Sequence, residues 1–185
     1  MKILVSLFIV QGVAILFSLL KLISRELMMQ VLRFSYGSFL IFSGVVKILD
    51  PLGFSYKLQE YFEVFGIEWM NDFTLLMSIF ICALEIVIGI LLIYGLYVKK
   101  ILQLNLVLMV GFTFLTFYSA YFNAVTDCGC FGDFMKLDPW FSFQKDIVLL
   151  VVSSFLLLYH KTIRPIYNVK WLHRSLLIVI CIIGF

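Results

Sequence analysis

Residues 33–51 read RFSYGSFLIFSGVVKILDP. The stretch is long and apolar enough to form most of a membrane-spanning helix, which needs roughly 20 predominantly apolar residues. It nevertheless carries an arginine near one end and a lysine near the other. At 3.6 residues per turn, Arg33, Gly37, Leu40, Gly44 and Lys47 fall on one face. Ionisable groups inside a span face the interior of a bundle, and small residues beside them let helices approach closely. This pattern belongs to a membrane helix packed against other membrane helices.

The rest of the chain agrees. Of the 185 residues 63% are hydrophobic and 14% charged, far from the balance of a soluble domain. Apolar runs at about 3–20, 31–49, 73–96, 101–122 and 141–159 are each near spanning length, and a shorter one starts at 172. The fold class expected is all-α and polytopic. Residues 29–160 form a four-helix membrane domain, 1–25 an extra, peripheral N-terminal helix, and 161–185 a loop and an incomplete further helix. Lys2 before an apolar run also suits a signal peptide, but no small-residue cleavage site closes the run, so an uncleaved helix is expected. The short last run suggests a chain that continues beyond Phe185. A net charge of +3, spread over loops, gives no sign of nucleic acid binding, and the bilayer is the partner that composition requires.

Loop charges alternate. Lys21, Arg25 and Arg33 mark the first connection as cytoplasmic by the positive-inside rule, as do Lys99 and Lys100, and then Lys161, Arg164, Lys170 and Arg174. The connection 50–72 carries Asp50, Glu60, Glu63, Glu68 and Asp72 against Lys57, and 121–142 carries Asp127, Asp133 and Asp138 against Lys136. Both are therefore expected outside. In 50–72, Phe54, Leu58, Tyr61, Phe62 and Phe65 recur at helical spacing. That predicts a short amphipathic helix at the interface, either a lid on the bundle or one wall of a site.

Three further runs carry polar faces: Ser78, Cys82, Glu85 and Gly89; Asn105, Phe112, Thr116 and Ser119; Asp146, Ser153 and His160. Counting 1.5 Å per residue puts Glu85 roughly 18 Å into its helix, near mid-membrane. Lys47 and Asp146 lie close to the outer ends of theirs and are the expected partners, with Glu85 too deep for Lys47. Glu85 is then either a neutral acid bonded to a neighbouring helix, or a proton-transfer or quinone-contacting group. Cys82 and Cys181 lie in apolar runs and read as small hydrophobes. His160 and His173 read as interfacial, and no His/Cys cluster suggests zinc.

The outer segment 126–133 reads TDCGCFGD. Cys128 and Cys130, with Gly129 between them, are the candidate reactive groups, and Asp127, Gly132 and Asp133 complete the loop. A disulfide needs Cα atoms about 4.4–6.8 Å apart, which a one-residue spacing meets only when bent and strained. Glycine permits the bend, and strain makes a bond exchangeable. The nearby aspartates disfavour the thiolate, while Lys136, Lys145 or Lys47 would offset them. Separate partners for each thiol, a soft metal such as Cu(I) and a purely structural bond remain open from spacing alone.

Several of these segments resemble a known family. Residues 33–51, with their arginine, Ser-Gly and Lys before Asp-Pro, and Ala83-Leu-Glu-Ile-Val-Ile-Gly89 are similar to the first two core helices of DoxX-like membrane proteins. Asp127-Cys-Gly-Cys-Phe-Gly132, followed by Trp140 and Lys145-Asp146, resembles the MauE branch. The resemblance covers about 31–160. It implies a four-helix bundle in a bacterial inner membrane and a link to periplasmic redox processes. In methylamine utilisation, MauE proteins are thought to help form disulfides in a dehydrogenase subunit.

Two functions from different classes follow. In one, Cys128 and Cys130 exchange electrons with a periplasmic dithiol partner and a membrane quinone, with Glu85, Lys47 and Asp146 handling protons or positioning the acceptor. In the other, the chain is a non-catalytic subunit or assembly factor whose cysteines form a static disulfide and whose loop docks a redox protein. A carrier using the inward stripes is a third reading, opposed by the long apolar gaps between polar residues.

Overall fold

The computed structural model describes residues 24–122, 138–163 and 165. Five α-helices occur among them: α1 (Arg25–Leu49), α2 (Pro51–Val64), α3 (Thr74–Tyr94), α4 (Val98–Phe122) and α5 (Pro139–Leu158). A 3-10 helix, Glu68–Phe73, leads into α3, and another, His160–Thr162, follows α5. All but α2 are long and apolar enough to cross a membrane. The first and last expected runs lie outside the described residues.

Local chemistry sets the helix ends. The Ser24 hydroxyl accepts from the Leu27 N–H at 3.3 Å, so α1 starts a turn and a half before the expected 31. Two Asp-Pro steps start α2 and α5. Asp50 accepts from Gly53 N–H (2.9 Å), and Asp138 from Trp140 N–H (2.9 Å). In each, proline takes a first-turn position whose N–H would have no partner in the helix. Gly66 and Gly95, at φ 69° and 72°, close α2 and α3 in the left-handed conformation that glycine adopts without steric cost.

α1 packs along α3 and α4 along α5, while contacts between these two pairs are sparser. The bundle is therefore two tight pairs joined at a seam. In their spanning windows α1 is 61% buried and α4 only 22%, which makes α1 the central helix and α4 the one most exposed to lipid. Glycines set the α1–α3 distance. A Cβ on Gly89 would stand 2.7 Å from the Gly37 carbonyl oxygen, and one on Gly44 would stand 2.9 Å from that of Cys82. Neither backbone can yield without separating the helices. Gly89→Ala is expected to destabilise the bundle by about 1–3 kcal/mol, and thermal unfolding in lipid nanodiscs would measure it.

α2 is the expected amphipathic segment and crosses one end of the bundle. Its Phe54 and Leu58 pack on Cys82 of α3. Ser55 and Gln59 both donate to the Thr74 hydroxyl at 3.0 Å. Phe65, just past its last turn, meets Tyr118 of α4 edge-on at 4.9 Å. Trp69, Phe73 and Trp140 are exposed near this end, as suits aromatic residues at a membrane–water boundary.

Candidate functional site

The polar faces read from the sequence do point inward. Arg33, Lys47, Ser78, Glu85, Asn105, Thr116, Ser119, Asp146 and Ser153 are all buried. His160 is the exception. It lies past the end of α5, half-buried, with Nδ1 2.8 Å from the Leu157 carbonyl oxygen. Cys82 is fully buried among apolar side chains, as expected of a small hydrophobe.

The main correction concerns Lys47. Its ammonium donates to both carboxylate oxygens of Glu85, at 2.8 and 2.6 Å, and to the Ser43 hydroxyl at 3.0 Å. The expected Lys47–Asp146 pair is not what forms, and Glu85, expected to lie too deep for Lys47, is its partner. Two geometric facts bring Lys47 and Glu85 together. First, α3 overhangs the end of α1, because Ser78 donates to the Pro51 carbonyl at 2.8 Å. Glu85 is therefore level with Gly44, whose added Cβ would stand 3.3 Å from the Glu85 Cβ. Second, helical side chains lean toward their own N-terminus. In antiparallel α1 and α3, Lys47 and Glu85 lean toward each other.

Asp146 has a different partner. Its Oδ1 accepts from the Lys145 ammonium at 2.8 Å and its Oδ2 from the Thr116 hydroxyl at 3.0 Å. Two buried ion pairs thus stand near the α2 end of the bundle, one in each helix pair. Aromatic faces surround the first, with Lys47 Nζ 4.9 Å from the Phe112 ring centroid and 5.8 Å from that of Phe54. Phe54 therefore gives α2 a side chain at the charged site as well as a place on the bundle end. Lys145 was not singled out as a site residue. Adjacent residues on a helix do not face each other, so only its long side chain makes the pair with Asp146. The three donors of Lys47 are all used within the bundle.

Farther from α2 a second polar layer crosses the seam, where the Asn105 amide donates to Tyr36 (2.8 Å) and Ser153 (2.7 Å). Leu40, Met109 and Leu149, one turn nearer the ion pairs on the same helices, separate the two layers. The polar interior is interrupted, which weighs against the carrier reading.

A cavity lies between the ion pairs, lined by Lys47, Glu85, Lys145 and Asp146 and by apolar side chains including Phe39 and Phe112. About 10 Å³ of it is open to the centre of a water molecule, room for about one water. A quinone ring does not fit there. No group of three or more His, Cys, Asp or Glu side chains converges among the described residues.

Cys128, Cys130, Asp127, Gly129, Gly132 and Asp133 lie outside the described residues, as do Lys136, His173 and Cys181. Their segment, 123–137, joins Phe122 of α4 to Asp138 before α5. Both of those helix ends are at the α2 end of the bundle.

Four apolar spanning helices around buried, internally paired charges define a multi-pass α-helical membrane protein. The family model of methylamine utilisation protein MauE matches residues 25–159, and the chain belongs to that family. Neither a curated protein nor a solved structure matches the chain.

Proposed function

We propose that this chain is a thiol–disulfide exchange protein of a bacterial cytoplasmic membrane, working in methylamine utilisation, with Cys128 and Cys130 facing the extracytoplasmic side. Family membership supports the setting. Charge asymmetry supports the orientation, since Lys99, Lys100 and Lys161 are exposed at one end while Glu63, Glu68 and Asp72 are exposed at the other. The observation that carries the reading is that the segment with both thiols begins and ends at the end of the bundle holding two buried ion pairs. Charges buried in a membrane domain are costly and mark functional regions.

The reaction conserves electrons. A partner thiolate attacks one sulfur of the Cys128–Cys130 disulfide and a mixed disulfide forms. The partner's second thiolate displaces it, leaving the partner oxidised and Cys128 and Cys130 as thiols. A strained one-residue ring favours this direction.

The second reading, an assembly factor with a static disulfide, is favoured by one observation. Among the described residues Cys82 is the sole cysteine and is fully buried, so the bundle core holds no second dithiol. The two readings separate in nanodiscs. Mixing the oxidised full-length protein with a dithiol peptide is expected to oxidise one peptide per chain and to make Cys128 and Cys130 reactive to maleimide. A pair that stays oxidised under a large excess of peptide would support the static bond and overturn exchange.

A further inference from the structure

The cavity at the seam has a hydrogen-bonding character of its own. Each helix pair brings a complete ion pair to it, Lys47–Glu85 from α1 and α3, and Lys145–Asp146 from α5 with Thr116 of α4. The four charges cancel. The donors of Lys47 are saturated by Ser43 and Glu85. Each carboxylate oxygen has two acceptor sites. Those of Glu85 each take one bond from Lys47, and those of Asp146 take one each from Lys145 and Thr116. Each of these carboxylate oxygens therefore keeps one acceptor site beyond the bonds named. A ligand suited to this cavity is neutral, donates hydrogen bonds and is no larger than the space of about 10 Å³ open to a water centre. Water meets all three conditions, and buried waters typically take two to four polar partners.

We propose that the cavity is a binding site for one water molecule that donates to Glu85 and Asp146, joining the two ion pairs into one charge network across the seam. The site goes beyond the thiol reading and does not rest on it. The water adds a polar link between helix pairs that also meet at this level through Phe112 over Lys47. It also couples the two carboxylates energetically, because both accept from one shared molecule.

Water-edited solid-state NMR of the full chain in lipid tests this. Polarisation from water protons is expected to reach the side-chain carboxyl carbons of Glu85 and Asp146 several-fold faster than the methyls of Leu92, which is fully buried away from the cavity. Transfer to those carboxyl carbons no faster than to Leu92 would overturn the site. Leu149 lines the cavity, and Leu149→Phe is expected to abolish the fast transfer at both carboxylates. In a double-mutant cycle, the coupling between Glu85→Gln and Asp146→Asn is expected to vanish in the Leu149→Phe background. Undiminished coupling there would show that the two pairs communicate without the water.

Discussion

Replacing Lys47 by alanine is expected to destabilise the folded bundle by about 3–5 kcal/mol, the cost of stranding one partner of a buried ion pair. The size follows from the surroundings. Lys47 and Glu85 side chains are 3% and 2% exposed, so solvent screens neither. Removing Lys47 leaves the Glu85 carboxylate in a cavity it shares with Phe112 with its direct counter-charge gone, and deprives Ser43 of its donor. Glu85→Leu should cost a similar amount. Lys47→Met combined with Glu85→Leu should recover most of the loss, since an apolar pair of similar volume is often as stable as the ion pair it replaces. Thermal unfolding in nanodiscs of the two single variants and the double variant measures this. Additive losses in the double variant would mean that the two side chains do not act as a pair.

The second large effect falls on the thiols. Cys130→Ser and Cys128→Ser are each expected to abolish exchange with a dithiol, because one sulfur cannot form the internal disulfide that accepts the electrons. A single remaining thiol can attack a partner's disulfide but cannot itself resolve the mixed disulfide. One of the two variants is therefore expected to accumulate a covalent adduct with a disulfide peptide, visible as a mass increase lost on reduction. Normal exchange by both variants would remove the pair from the reaction. The folded bundle should be indifferent to either change, and unfolding temperatures near the parent's would separate loss of chemistry from loss of structure.

Much of this was legible in the sequence. Hydrophobic run length identified the four spanning helices, and the period of 3.6 residues identified which polar residues turn inward. Glu85, Asn105, Asp146 and Ser153 were all assigned to buried faces correctly. Pairing was harder to read, because depth was counted from helix ends that are not level. The overhang of α3 is set by the Ser78–Pro51 hydrogen bond, a contact between residues far apart in sequence. The lean of side chains toward their helix N-termini then closes the remaining gap. The Asp50-Pro51 and Asp138-Pro139 steps are local signals of the same kind, since each caps a helix that frames the charged end. Lys145 was visible as a charge beside Asp146, but helical geometry argues against neighbours pairing, and nothing local signals the exception.

The central claim is that Cys128 and Cys130 form an exchangeable disulfide on the extracytoplasmic side. Labelling of intact cells with a membrane-impermeant maleimide tests it most directly, in a Cys82→Ser, Cys181→Ser background, before and after brief treatment with an impermeant reductant. The expected result is no label before reduction and two labels per chain after it. Labels that appear only once the cells are permeabilised, or no label even after reduction, would contradict the claim.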